Sequence, residues 1–209
     1  MTPDQVQALF TRSDGSYQFA RWGRPIVPVV FGVEDNTLAV VKGAIEAVVA
    51  LAGHKMAETD PELGANLMLF FLRDWGELSE VPNLDRLLPE LPGLVARLQD
   101  ARANQYRLFR FDDQGAIQAC FVFLRMDAAM REQPADILAL GQIVQAVLAW
   151  GDRAFTELSP LARLPDNGAT ILKPEIAAVV RASYDPSMPV AAQDSSHALR
   201  LYARMQTET

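Results

Sequence analysis

A chain of 209 residues, half of them hydrophobic and 22% charged, carries enough material for one globular domain with a sizeable core. With 26 acidic against 19 basic residues the formal net charge is −7, and Lys and Arg form no basic run, which argues against a nucleic-acid surface. Cys120 is the sole cysteine, so an intrachain disulfide and every multi-cysteine zinc pattern are excluded, and no apolar run is long enough to span a bilayer.

In chain order, Thr2, Pro3 and Asp4 predict a short capped helix over 2–9. Ser13-Asp14-Gly15 is a turn, and 17–22 a short extended piece broken by Gly23-Arg24-Pro25. The run IVPVVF over 26–31 is β-branched and apolar, hence a strand, which Pro28 demotes toward an edge or a bulge. Helical periodicity over 34–52 places Leu38, Val41, Ile45, Val48, Val49 and Ala52 on one face, with Gly53 as the stop. His54 follows and is read as a histidine that gains from the helix dipole when charged. The continuous apolar run NLMLFFL over 66–72 predicts an interior strand, completing a βαβ unit. A polar connection over 74–81 leads to a helical stretch over 82–98 that Pro89 and Pro92 divide. Segments 105–111 and 116–126 form a hairpin around Asp112-Asp113-Gln114-Gly115.

The stretch QPADILALGQIVQAVLAWGDR, residues 133–153, predicts the helix on which the rest packs. Ile137, Leu140, Gly141, Val144, Val147 and Leu148 make one stripe, and Ile143 and Trp150 a second, so both flanks are buried. Pro134 is placed at its first helical position. Gln142 and Gln145 interrupt this surface one turn apart on a shared face. Beyond it, 156–169 is read as irregular and ends in a turn at Leu164-Pro165-Asp166-Asn167-Gly168. A helix over 174–184 turns Ile176, Val179 and Val180 inward, and a last helix capped by Asp194 or Ser195 runs to Met205. The expected fold class is α+β: a mixed sheet of about four to five strands with a βαβ unit, a β-hairpin, a buried central helix and C-terminal helices. One domain is expected over 1–209, with 1–155 as the sheet-plus-helix core and 156–209 as a helical extension packed on it.

Chemical motifs are sparse. There is no G-x-S-x-G, no phosphate-cradling glycine loop, no G-x-G-x-x-G and no H-E-x-x-H. His54 and His197 are the only histidines; His54 with Glu58 lies past a helix stop, and His197 is read as exposed or capping. Arg24, with Arg21, flanks Trp22, where an anion or peptide carboxylate could be held, although arginines packed on an indole are the commoner case. Asp166 and Asn167 could meet a ligand, and turn chemistry before Gly168 accounts for them equally. Glu58, Asp74, Glu77 and Asp166 supply carboxylates for a hydrolase site if folding brings a histidine close. Cys120, in an apolar alternating run, is read as a core residue.

Three segments, FARWGRPIVPVVFG at 19–32, ALGQIVQAVLAW at 139–150 and EIAAVVRASYDPSMPV at 175–190, resemble an uncharacterised proteobacterial domain family. Many members of that family look like exported lipoproteins, and its layout is similar to that of the metzincin-like (zincin) metalloproteases. The resemblance implies a zinc-motif helix at the central helix, with the first histidine and the glutamate at Gly141 and Gln142 and the second histidine at Gln145. Glycine cannot ligate, and a glutamine amide is a poor zinc ligand and no general base. With these departures the resemblance implies a degenerate zincin-like domain, leaning away from catalysis, that binds a peptide or protein in the old cleft with no metal and no cofactor. The ligand-binding candidates are Gln142, Gln145, Trp22, Arg24, Asp166 and Asn167. The alternatives are a hydrolase with an unrecognised site and a self-assembling or interaction subunit, in which apolar helices bury a partner or a second copy. Without a signal peptide after Met1 the expected location is cytoplasmic, or periplasmic if an export signal has been removed.

Overall fold

The computed structural model describes residues 1–207. Helix α1 (Pro3–Ala8) opens with a capping box, in which the Thr2 hydroxyl accepts from the Gln5 N–H and Gln5 Oε1 accepts from the Thr2 N–H. Of the extended stretch expected over 17–22, only β1 (Phe19–Ala20) forms a ladder. Strand β2 (Pro28–Phe31), helix α2 (Asp35–Leu51) and strand β3 (Leu67–Leu72) make the βαβ unit, with β2 and β3 parallel. Gly32 permits the turn off β2: its φ is +82°, and a Cβ there would lie 2.1 Å from the Phe71 carbonyl oxygen. A 3₁₀ helix (Trp75–Glu80), α3 (Leu84–Leu87) and α4 (Leu91–Asp100) lead to the hairpin of β4 (Gln105–Phe111) and β5 (Ile117–Arg125). Then come α5 (Ala128–Arg131), α6 (Ala135–Val147), β6 (Leu161–Arg163), β7 (Thr170–Leu172), α7 (Pro174–Ser183), β8 (Ala191–Ala192) and α8 (Ser196–Thr207).

The fold is α+β. Its central sheet is mixed and four-stranded in the order β2-β3-β5-β4; the first three strands are parallel and β4 is an antiparallel edge. Pro28 lies on the opposite edge, where a missing N–H costs no ladder bond. Strand β3 is interior, which is why it is apolar on both sides. One face presents Leu67, Leu69, Cys120, Val122 and Leu124 to α2 and α6. The other presents Phe70, Leu72, Phe121 and Phe123 to α4 and the 3₁₀ helix, whose Trp75 and Leu78 are buried in what reads from sequence as a polar connection. Pro92 falls in the first turn of α4 and does not divide it; only Pro89 separates the two helical pieces.

The central helix is shorter than its apolar run predicts. It ends at Val147 instead of Arg153, and Pro134 is its N-cap rather than its first residue. Three aromatic side chains take the carbonyls its last turn leaves open: Trp150 Nε1 donates to Val144 O at 2.8 Å, Trp22 Nε1 to Ala146 O at 2.9 Å and Tyr184 Oη to Val147 O at 2.7 Å. Leu148 is already extended and bridges Arg21, and Ala149 N–H donates to Ala20 O. Gly151 then passes so close to the Thr11 backbone that a Cβ would lie 2.5 Å from its carbonyl oxygen. The chain leaves the helix because tertiary partners outbid the next helical hydrogen bonds.

Residues 156–169 are not wholly irregular, since β6 pairs with β7 across the Asp166-Asn167-Gly168 turn. At the C-terminus β8 pairs antiparallel with β1, and α8 packs on α1 and α7, so the last segment is tied to the first. His197 corrects the expectation of an exposed or capping residue: it is 3% exposed, and its Nδ1 lies 2.8 Å from the Tyr17 hydroxyl. His54 is likewise not a solvated helix-end cation, because burial lowers its pKa and Nε2 bonds to Arg24 O at 2.8 Å.

Candidate functional site

Alternation along β4 sets Gln105, Arg107 and Phe109 on the face shared with Cys120 and Val122, toward α6. Gln142 and Gln145, three apart on α6, point back at that strand. The Arg107 guanidinium bridges them: Nη2 donates to Gln142 Oε1 at 2.5 Å and Nη1 to Gln145 Oε1 at 3.3 Å. An arginine only donates, so both glutamine oxygens must face it, and their amide nitrogens turn away. Gln142 Nε2 donates to Gln105 Oε1 at 3.0 Å, and Gln145 Nε2 to Gly141 O at 3.0 Å.

Arg107 has no carboxylate partner among the described residues. Its Nε is buried without an acceptor among them. Burial pushes the guanidinium pKa below its ordinary value, opposed by the nearby Cys120. A guanidinium remains charged at neutral pH, so the fold holds a cation beside α6 whose side-chain hydrogen-bond partners among the described residues are neutral amides.

A cavity of about 630 Å³ opens against this cluster, bordered by Arg107, Gln145, Phe109, Trp150, Arg12 and Asp152. Trp150 forms a rigid wall, stacked on Phe10 at 5.2 Å and edge-on to Phe155 at 5.0 Å. Asp152 is held by Ser13, whose Oγ and N–H donate to it at 2.5 and 2.8 Å and keep its carboxyl pKa below the usual range. The cavity also borders the outer edge of β4. Arg125 N–H donates to Asn104 O, which sets the ladder so that Tyr106, Leu108 and Arg110 face β5 with their backbone groups. The backbone N–H and C=O of Gln105, Arg107 and Phe109 therefore point outward, and no described residue bonds them.

Of the sequence-predicted site residues, Gln142 and Gln145 come together, and Gln145 reaches the cavity. Trp22 is fully buried on another side of α6 and presents no surface. Arg24 is committed to Glu62 at 2.9 Å and Asp60 at 3.3 Å. Asp166 is an exposed turn residue and Asn167 Oδ1 accepts the Ala169 N–H, both at the β6–β7 tip and outside the cavity. Among the hydrolase candidates, Glu58 is exposed, Asp74 caps Gly76 N–H, and Glu77 pairs with Arg73 at 2.6 Å. Among the described residues no group of three His, Cys, Asp or Glu side chains is placed to hold a metal. The zinc helix implied by the resemblance does not fit these residues, since the glutamine oxygens that would face a cation already accept from a guanidinium.

Arg107 and Gln105 are residues of the candidate site that sequence reasoning missed. QYRLFRF places an arginine on each face of the strand, Arg107 on one and Arg110 on the other, so alternation could not say which was inward. Cys120, beside Arg107, is fully buried, and burial pushes its thiol pKa up to about 12. It is expected to resist a thiol reagent such as 5,5′-dithiobis(2-nitrobenzoate) in the folded protein and to react fully in denaturant; prompt labelling of the folded protein would contradict this burial. No family model, no curated protein and no solved structure matches this chain.

Proposed function

We propose that this chain is a non-catalytic domain on a zincin-like scaffold, and that it binds an extended peptide segment along the outer edge of β4 with a side chain or chain end in the adjoining cavity. The observation that carries this is the backbone of Gln105, Arg107 and Phe109, unpaired among the described residues and bordering a cavity of about 630 Å³. Such an edge is a template for one more strand, in which main-chain bonds supply affinity and the neighbouring pocket supplies specificity. The order of elements supports the zincin-like reading as well: βαβ unit, hairpin with an antiparallel edge, then a helix beneath that edge. Along α6 Gln145 borders the cavity and Gln142 lies buried behind it, both bonded to Arg107, an arrangement that orients and binds but supplies neither nucleophile nor base.

The test is an immobilised random octapeptide library, followed by N-methylation of each backbone position of a selected binder. Strand addition is expected to give a period-two pattern, with at least tenfold weaker binding at alternate methylated positions, or about 1.4 kcal/mol each. Phe109→Pro removes one outward donor and no bond to β5, so it is expected to fold and to weaken the same peptide by a similar factor. An absence of binders, or methylation that weakens consecutive positions equally, would defeat the proposal. A dimer that blocks the library would show instead that the edge pairs with a second copy, a result read directly by sedimentation.

A further inference from the structure

Resting on that reading, we infer that the cavity beside Arg107 is a carboxylate-recognition pocket, so that the peptide bound along β4 presents a free C-terminal or side-chain carboxylate to the Arg107–Gln145 cluster. A guanidinium carries five N–H groups, and two of Arg107's donate to the glutamines. Three remain without an acceptor among the described residues, and Nε is one of them. A half-buried cation whose Nε is shut off from solvent is retained only when something compensates its desolvation, and neutral amide oxygens compensate it in part. An anion in the adjoining cavity completes the coordination and accepts charge-assisted bonds from donors already held in place.

The surroundings select a monoanion. Of the charged residues bordering the cavity, Arg12 and Arg107 are positive and Asp152 is negative, a local excess of one positive charge. One carboxylate balances it, whereas a phosphate dianion would leave excess negative charge beside Asp152. The hydrogen-bond chain also prepares the rim. Because Arg107 fixes Gln142 and Gln142 donates to Gln105 Oε1, the Gln105 amide NH₂ is left as a donor on an exposed residue at the cavity mouth. Trp150, Phe155 and Phe109 give the same space apolar walls for the residue that carries the carboxylate.

The deciding experiment uses four probes that need no selected peptide: N-acetylphenylalanine, its primary amide, hexanoate and inorganic phosphate. Each is titrated against the full chain while the Arg107 Nε–H and Trp150 indole signals are followed by ¹⁵N-resolved NMR. The acids are expected to shift both signals and to bind at least tenfold more tightly than the amide. Arg107→Met is expected to erase that preference, and Arg107→Lys, which keeps the charge but not the fork, to restore part of it. Arg12→Gln, at an exposed position, is expected to weaken the acids several-fold and serves if the Arg107 variants fail to fold. Equal binding of acid and amide, phosphate binding more tightly than the acids, or acid binding that leaves Arg107 unmoved would each overturn the inference. If those results appear while octapeptides still bind with a period-two methylation pattern, only the carboxylate pocket falls and the strand-addition reading stands.

Discussion

Trp22→Ala is expected to cost about 3–5 kcal/mol of stability, enough to leave the protein largely unfolded at moderate urea. The indole is fully buried at the junction of β1, α2 and α6. Its removal opens one of the largest cavities a single substitution can make here. It also deletes the donor to Ala146 O, one of the three aromatic side-chain bonds that close the end of α6. A buried carbonyl without a partner adds to the loss. For a chain of this size the midpoint of thermal unfolding should fall by roughly 10 °C. Trp22→Phe keeps most of the volume and lacks the N–H, so it should lose clearly less. A Trp22→Ala protein within about 1 kcal/mol of wild type would remove the indole from its place as the lock on α6. The same pair of variants separates scaffold from site, because an intact Arg107 cluster should be recoverable in Trp22→Phe.

Between pH 6.5 and pH 4 the protein is expected to lose on the order of 3 kcal/mol through His197. Burial lowers the imidazole pKa from its ordinary 6.5 to about 4, with Arg200 acting in the same sense. The sign follows from proton uptake: as pH falls through 6.5 the unfolded chain binds a proton that the folded chain refuses. Stability therefore declines until about pH 4, where the folded histidine also protonates. The difference of about 2.5 pH units, at about 1.36 kcal/mol per unit, gives the magnitude. The geometry agrees. Nε2 is buried without a partner among the described residues, and the ring lies 4.2 Å from Phe19, so no acceptor meets a second N–H. His54, whose pKa burial also lowers, contributes in the same direction. Depressed carboxylates act lower: Asp185, held by Ser187 and Arg204, has its carboxyl drawn down to about 2 and loses its contribution only below pH 4. Urea titrations at half-unit pH steps should show the upper slope in wild type and a much flatter one in the Tyr17→Phe/His197→Phe double variant, which removes both members of the buried pair. An unchanged slope in that variant would assign the acid sensitivity elsewhere.

Much of the architecture is legible in the sequence. The βαβ unit, the hairpin at 105–126 and the interior strand read over 66–72 all come from local rules, as does the reading of the Pro28 strand as an edge or a bulge, of which the structure has the edge. Those rules work because burial on one face or on both writes a different periodicity into the residues themselves. The failures share a cause. Residues 148–150 continue an apolar helical pattern, and nothing local says that Ala149 will pair with Ala20 or that Gly151 will lie against Thr11. The β6–β7 pairing is only three residues long on each side, too short for alternation to register. His197 reads as a polar residue near a cap because its partner, Tyr17, is 180 positions away.

The candidate site divides along the same line. Gln142 and Gln145 were visible because two amides stand out on an apolar helix, and their spacing of three is itself a statement about a shared face. Arg107 was invisible because its role depends on which side of β4 faces α6, and one register step would have exchanged it for solvent. The sequence by itself determined the four strands of the central sheet, the main helices without all of their ends, and the two glutamines, since each is encoded by residues close to one another in the chain. Only the tertiary structure decided that these glutamines face a cation, that the cation lacks a counter-charge among the described residues, and that a cavity and an unpaired strand edge adjoin it. Each of those facts is a relation between segments 35 or more residues apart, set by packing against a common sheet and by no local pattern.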